Sequence, residues 1–187
     1  MTSLWFAPID LDLATMTLRY AFTTDRLLVR EWHAAERSGI GTDLPAAVAE
    51  MLTEPVTRWL PPSWHGTYPR ARADAWIADR DAEGPVLLVT DRETAEPLGL
   101  ILLFEEAVDG GVELRLGYLL AENAWGQGYG GALLGGFVAW CVERGAVRSV
   151  IGGVAPENAA SIRLLERHGF TLDDVAAPGG ALSYRLA

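Results

Sequence analysis

Seven residues, Trp125-Gly126-Gln127-Gly128-Tyr129-Gly130-Gly131, carry four glycines and stand between two well-patterned segments. Before them, Val112 to Leu120 is an apolar run of strand length. After them, Leu133, Phe137, Trp140 and Cys141 recur at helical spacing in a helix expected over Gly130 to Arg144, with Gly145 as its stop. A strand that gives way to glycines and reopens as a helix leaves backbone N–H groups bare at the helix N-terminus. The unpaired amides and the positive end of the helix dipole point the same way, so the loop favours an anionic ligand such as a phosphate.

The segments around this unit narrow the fold. Thr24 to Trp32 reads as a first strand, with Leu27, Val29 and Glu31 alternating against Leu28, Arg30 and Trp32. Helices are expected over Leu44 to Leu52 and Arg70 to Glu83. Between them the prolines and glycine of Trp59 to Tyr68 forbid regular structure. Val86 to Val89, Leu98 to Phe104 and Val112 to Leu120 are strands joined by the turns Asp91-Arg92-Glu93-Thr94 and Asp109-Gly110-Gly111, an antiparallel meander. Past the glycine helix come a strand at Val147 to Val154, a helix at Asn158 to Arg167 stopped by Gly169, and closing strands near Phe170-Thr171-Leu172 and Leu182 to Leu186. The expected class is α/β (α+β), a mixed, mostly antiparallel central sheet flanked by helices. A chain of 187 residues fits one domain, read as residues 21–187, with residues 1–20 as an N-terminal extension docked on it.

Gly126, Gly128 and Gly131 satisfy G-x-G-x-x-G, the dinucleotide-binding pattern, but the context is wrong for it. Ala121 to Trp125 separate the strand from the first glycine. Glu143 lies inside the helix and Glu157 too far downstream to be the expected acidic residue, and a meander is not a parallel doubly wound sheet. No Lys-Ser or Lys-Thr follows, so a nucleoside-triphosphate loop fails as well. The formal charge of −10 argues against nucleic acid and suits a cationic or amine-bearing partner. Cys141 is the only cysteine, and His33, His65 and His168 stand far apart, so neither an intramolecular disulfide nor a metal site is expected. No run reaches the roughly 18 apolar residues of a membrane span and no basic leader opens the sequence, so a soluble cytoplasmic protein is expected.

Four motifs occur in a telling order: Thr24-Asp25-Arg26-Leu27-Leu28-Val29-Arg30; Glu113-Leu114-Arg115-Leu116-Gly117-Tyr118-Leu119-Leu120 with the glycine loop; Pro156-Glu157-Asn158-Ala159-Ala160-Ser161; and Glu166-Arg167-His168-Gly169-Phe170. Together they resemble the GNAT N-acetyltransferases, and within them the RimJ/RimL branch, over roughly Phe22 to the C-terminus. The resemblance implies acetyl-CoA as co-substrate, no metal, and an amine-bearing acceptor, either a protein N-terminus or a small molecule, with the protein a monomer or homodimer. The family's pyrophosphate loop, Q/R-x-x-G-x-G/A, places its glycines on Gly128 and Gly130, with Trp125 in the leading position. By that pattern the backbone of Gly126, Gln127, Gly128, Tyr129, Gly130 and Gly131 cradles the pyrophosphate. Leu119 and Leu120 pair with the pantetheine arm, and Asn158 hydrogen-bonds the cofactor near its thioester.

For the chemistry, the resemblance implies a tyrosine seven residues after the asparagine, where this chain has Leu165. The branch's substitute is a serine at the position of Ser161, whose other reading is a helix residue bonding its own backbone. Glu113 is the expected base, unless it is a strand glutamate paired with Arg115; Glu105 and Glu106 are further candidates. Leu165 also leaves open a non-catalytic acyl-CoA-binding module. Cys141 reads as a packed thiol. Trp59, Trp64 and Tyr68 either wall a substrate pocket or simply pack. Asp173-Asp174 either draws in a cationic substrate or forms a solvated face.

Overall fold

Strands β1 (Ala21–Thr23), β2 (Leu27–Glu31), β3 (Val86–Asp91), β4 (Pro97–Val108), β5 (Gly111–Leu120), β6 (Val147–Val154), β7 (Thr171–Leu172) and β8 (Leu182–Leu186) join in one sheet. Their order is β1-β2-β3-β4-β5-β6-β8-β7. The helices are α1 (Trp32–Arg37), α2 (Leu44–Met51), α3 (Glu54–Thr57), α4 (Arg70–Glu83), α5 (Tyr129–Arg144) and α6 (Ala159–Arg167). This computed structural model describes residues 20–37, 43–173 and 180–187. The extension expected over 1–20 therefore lies, apart from Tyr20, outside the described residues, as does Asp174.

Strands β3 to β5 form the expected antiparallel meander, and β2 pairs antiparallel with β3 at its edge. Their apolar residues run almost continuously because helices cover both faces. On one face Leu133, Phe137 and Trp140 of α5 and Leu165 of α6 pack on Leu27, Val29, Leu87, Val89, Leu114 and Leu116. On the other, Val48 and Met51 of α2 and Trp76 and Ile77 of α4 cover Leu88, Leu100, Leu102 and Leu119. Each such large apolar side chain contributes about 1.5–3 kcal/mol when fully buried.

Several boundaries differ from the sequence reading. The first strand ends at Glu31, and Trp32 opens α1 with its indole N–H donating to Asp81 Oδ1 at 2.9 Å. A hairpin partner, β1, precedes it, and β4 runs on to Val108. Even the proline-rich segment holds a single 3-10 turn, Pro62–Trp64. Tyr68, offered above as a pocket wall, is buried and packs on Trp76, its hydroxyl donating to the Trp64 carbonyl at 2.9 Å.

One irregularity positions everything that follows. Among the described residues, β5 and β6 are the only neighbouring strands of the sheet that run parallel, and they pair from Val112↔Val147 to Leu116↔Gly152. Beyond that register they separate, although β5 continues to Leu120 and β6 to Val154. Gly117 to Leu120 pair with β4 alone among the strands, so their other backbone edge is open apart from the Leu120 carbonyl, which accepts from the Trp125 side chain. A backbone edge of this kind needs a partner, from solvent or from a ligand with amides of its own.

Candidate functional site

The open edge leads straight into the glycine loop. Gly126 and Gly128 have φ of +71° and +83°, a left-handed conformation that glycine adopts freely and a β-branched residue does not. Gly128 is the N-cap of α5, and the first helical amide to find an acceptor is Ala132 N–H, on the Gly128 carbonyl at 3.1 Å. Among the described residues no hydrogen bond occupies the amides from Gly126 to Gly131. Side chains hold the loop from behind. Arg26 Nη1 donates to the Gln127 carbonyl at 2.6 Å while its guanidinium lies 3.9 Å from the Tyr129 ring centroid. Tyr129 in turn donates to Asp91 Oδ2 at 2.7 Å, and Trp125 Nε1 donates to the Leu120 carbonyl at 2.8 Å. That last bond fixes the loop to the end of β5.

A cavity of about 380 Å³ occupies the gap. Its walls are Tyr118, Leu119 and Leu120 from β5, Gly126, Gly128 and Gly130 from the loop, Asn158, Ala160 and Ser161 from the start of α6, and Pro55 to Leu60 apart from Thr57 opposite. Of the residues singled out in the sequence, Leu119, Leu120, Gly126, Gly128, Gly130, Asn158 and Ser161 are thus brought together. Gln127, Tyr129 and Gly131 belong to the loop but not to the cavity wall. Asn158 caps α6, its Oδ1 accepting from Ser161 N–H at 3.2 Å, which fixes the side chain at the cavity edge. Trp59 lines this cavity, and Arg58, unnoticed in the sequence, brings a cationic group to its wall.

Tyr118 was also missed. Its hydroxyl donates to Ser161 Oγ at 3.2 Å. Burial, the dominant influence, pushes the Tyr118 phenol above its ordinary range. The residue also lines a second cavity of about 470 Å³, which shares the wall Leu60, Tyr118 and Leu119 with the first. There Trp64 and Phe104 supply apolar surface, and Arg80 and Glu83, joined in an ion pair, supply charge. Arg80 stands 4.8 Å from the Trp64 ring centroid.

Glu113 is not brought to either cavity. It sits six residues up β5 from Leu119, about 20 Å at ordinary strand rise. Its Oε2 accepts from Ser149 Oγ and Arg185 Nη1, each at 2.7 Å. Those bonds hold its carboxyl below the ordinary range, Ser149 contributing most. This corrects the reading of Glu113 as the base: a carboxylate stabilised in its charged form, at the far end of the strand, is poorly placed to take a proton from an amine. Arg115, the partner expected from the sequence, pairs with Glu106 at 3.4 Å and adds only the smallest of the favourable charge effects on Glu113. Glu105 accepts from Tyr20, and Glu105 and Glu106 line neither cavity. Asp173 pairs with Arg185 at 2.9 Å. Cys141 is buried, which pushes its thiol up to about 12, in keeping with a packed thiol.

Glu113 is therefore expected to matter to stability. Glu113→Gln should cost about 1–2 kcal/mol, the usual worth of a charged hydrogen bond reduced for the partial exposure of Arg185. Turnover per folded molecule should not change. Asp91 shares the pH sense. Its carboxyl is lowered to about 2, chiefly by the Thr94 amide and also by Tyr129 and Glu93. Both folded values are depressed, so the unfolded chain binds more protons in acid. The stabilisation is full above the ordinary carboxylate range and fades as pH falls through it towards about 2, where Asp91 is protonated. Thermal midpoints measured by circular dichroism from pH 7 to pH 3 should fall, and fall less steeply in Glu113→Gln. An unchanged slope in that variant would contradict this assignment.

Among the described residues no helix is long and apolar enough to cross a membrane, and no group of three His, Cys, Asp or Glu is placed to hold a metal. The family model for the acetyltransferase (GNAT) domain matches residues 26–171. Comparison with curated proteins returns no match. Among solved structures, a GNAT-family acetyltransferase from Bacillus anthracis is similar with TM-score 0.69 and 16% identity, over 89% of this chain and 96% of that one. An acetyltransferase from Agrobacterium tumefaciens aligns over 100% of this chain and 99% of its own, with TM-score 0.66 and 22% identity. A ribosomal-protein-S5-alanine acetyltransferase from Vibrio fischeri gives TM-score 0.61 and 13% identity, over 89% of this chain and 96% of that one. At these identities the structural likeness bears on the fold alone.

Proposed function

The chain belongs to the GNAT acetyltransferase family, and from that premise we propose that it transfers the acetyl group of acetyl-CoA to a primary amine by direct attack, as a cytoplasmic, metal-independent enzyme. The observation that carries this is the meeting of two unsatisfied backbone surfaces on one cavity. The bare amides of Gly126 to Gly131 suit a pyrophosphate, and the open edge of Gly117 to Leu120 suits the amides of a pantetheine arm. Neither surface serves a nicotinamide dinucleotide in a mostly antiparallel sheet. Arg58 adds charge complementary to phosphate, and Asn158, its Oδ1 held by Ser161 N–H, is placed to donate through Nδ2.

In this reading the acceptor enters from the second cavity, across the shared wall of Tyr118 and Leu119. Glu83, the one carboxylate among the described residues that lines either cavity, is held in an ion pair with Arg80, so water takes the proton that the amine must lose before attack. The amine lone pair forms the C–N bond, the C–S bond breaks with its electron pair on sulfur, and Ser161 donates to that sulfur. Alignment and charge stabilisation supply the rate; no covalent enzyme intermediate is formed. The RimJ/RimL-like motifs favour a protein N-terminus or a small amine as acceptor.

A thermal-shift titration with acetyl-CoA, with NADH and ATP as controls, tests the cofactor. At 100 times its dissociation constant a ligand adds about 2.7 kcal/mol. For a chain of this size that is a rise of roughly 5–10 °C. Absence of a shift, or a shift with NADH instead, would overturn the reading. Amine-dependent release of CoA thiol then separates an enzyme from a binding module.

A further inference from the structure

A serine is a weak acid, and on its own Ser161 has two competing uses for its hydroxyl proton. It can point into the cavity, or it can turn back to a carbonyl of the preceding turn, as serines in helices do. Tyr118 removes that ambiguity. A phenol is the more acidic of the two hydroxyls, so in a Tyr–Ser pair the phenol donates and the serine oxygen accepts. The two oxygens, 3.2 Å apart, lie at the long end of the distance such a bond spans. With one lone pair of Oγ engaged and Ser161 N–H tied to Asn158 Oδ1 at 3.2 Å, the remaining freedom of the serine is the direction of its own O–H.

The placement of Tyr118 is built into the strand. Leu116, Tyr118 and Leu120 share the face of β5 that looks towards α5 and α6, while Leu119 looks the other way. Tyr118 therefore reaches α6 from inside the sheet, at the level where β5 and β6 have already parted. It lines both cavities, so it stands where a thioester on one side meets an amine on the other. Nothing else in the described residues donates to Ser161 Oγ apart from Tyr118.

Resting on the acetyl-transfer reading above, we propose that Tyr118 is a positioning residue for the leaving group: it holds Ser161 Oγ as an acceptor, so that the Ser161 O–H is presented to the departing sulfur. As the C–S bond breaks and the electron pair collects on sulfur, Ser161 donates to the growing thiolate and Tyr118 donates to Ser161. Two hydrogen bonds in series polarise each other, which makes the serine a better donor than an isolated alcohol. No proton has to leave Tyr118. The proton lost by the amine nitrogen passes through water, and CoA departs as the thiolate or as the thiol once that proton reaches it. Burial raises the phenol's pKa, so it remains a donor throughout the working pH range.

The test compares wild type with Tyr118→Phe, Ser161→Ala, Ser161→Thr and the Tyr118→Phe/Ser161→Ala double variant. Release of CoA thiol from acetyl-CoA is followed with peptides beginning in serine or alanine, and with water alone as acceptor. Acetyl-CoA dissociation constants are measured alongside. Ser161→Ala is expected to lower kcat about a hundredfold, the size of losing one preorganised donor, and Tyr118→Phe about tenfold, with acetyl-CoA affinity unchanged. In the Ser161→Ala background the phenylalanine should cost nothing further, because the pair acts as a unit. Ser161→Thr, which keeps the hydroxyl, should restore most of the rate, and this arm stands even where Tyr118→Phe folds poorly. Equal losses in both backgrounds, or a loss confined to acetyl-CoA affinity, would overturn the proposal and leave Tyr118 as a cavity wall. Wild-type turnover that Tyr118→Phe leaves intact overturns the proposal alone. A wild type that releases no CoA thiol overturns it together with the transfer reading.

Discussion

Replacing Gly128 by valine should weaken acetyl-CoA binding about 10- to 100-fold while lowering the thermal midpoint by only a few degrees. The two effects have separate causes. At φ +83° a residue with a Cβ meets its own carbonyl, at a cost of roughly 1–2 kcal/mol, and a β-branched residue is the least tolerant. For a chain of this size that is roughly 2–8 °C in the midpoint. The fold survives because Gly128 stands outside the core, at the mouth of the loop. Binding suffers more, since the N-cap orients the amides on either side of it. Relaxing the strain turns Gln127 and Tyr129 together. An added Cβ also comes within 3.6 Å of Arg26 Nη1, so the branched methyls crowd the guanidinium that holds the Gln127 carbonyl. Losing one charge-assisted hydrogen bond to a pyrophosphate, about 1.5–3 kcal/mol, gives the expected loss of affinity. Isothermal titration with acetyl-CoA reads one effect and differential scanning calorimetry the other. Unchanged affinity in a folded variant would place the pyrophosphate away from this loop.

The loop was legible in the sequence because its signal is local: glycines at a strand-to-helix junction can hardly mean anything but exposed amides. The meander was legible for a similar reason. Asp91 starts its turn by accepting from Glu93 and Thr94 amides, and Gly110 has φ +77°, so both hairpins are written at their tips. What the sequence hid is long-range. Glu113 looked like a base because the family resemblance sets a glutamate on the strand that leads into the glycine loop; its real partners, Ser149 and Arg185, are 36 and 72 residues away. The second cavity draws its wall from four separate stretches, around Trp64, Arg80, Leu102 and Tyr118, which no local pattern brings together. Tyr118 lay inside a motif already singled out. Its parity with Leu116 and Leu120 places it on the α5–α6 face, but only the opening between β5 and β6 shows that this face ends in a cavity.

Leu165 is the position on which the non-catalytic alternative rests, and Leu165→Ala should show whether its side chain serves the core or the reacting centre. Leu165 lies one turn after Ser161 on the same side of α6, yet it is 1% exposed and does not line either cavity. It packs in the core, with its Cδ atoms 3.5 and 3.9 Å from where a Cβ on Gly152 would stand. Truncating such a side chain costs about 2–5 kcal/mol, as transfer energy plus the cavity left behind, or roughly 4–20 °C in midpoint for this length. If sulfur is served by Ser161 and Tyr118, kcat measured well below the new midpoint should stay near the wild-type value. Leu165 then fills core space, and the absence of a tyrosine there says nothing against catalysis. If kcat instead falls tenfold or more while the midpoint holds, the side chain shapes the reacting centre and its place in the core has been misjudged. The outcome turns on where one leucine points, which is why the substituted family position, read from the sequence alone, could be argued either way.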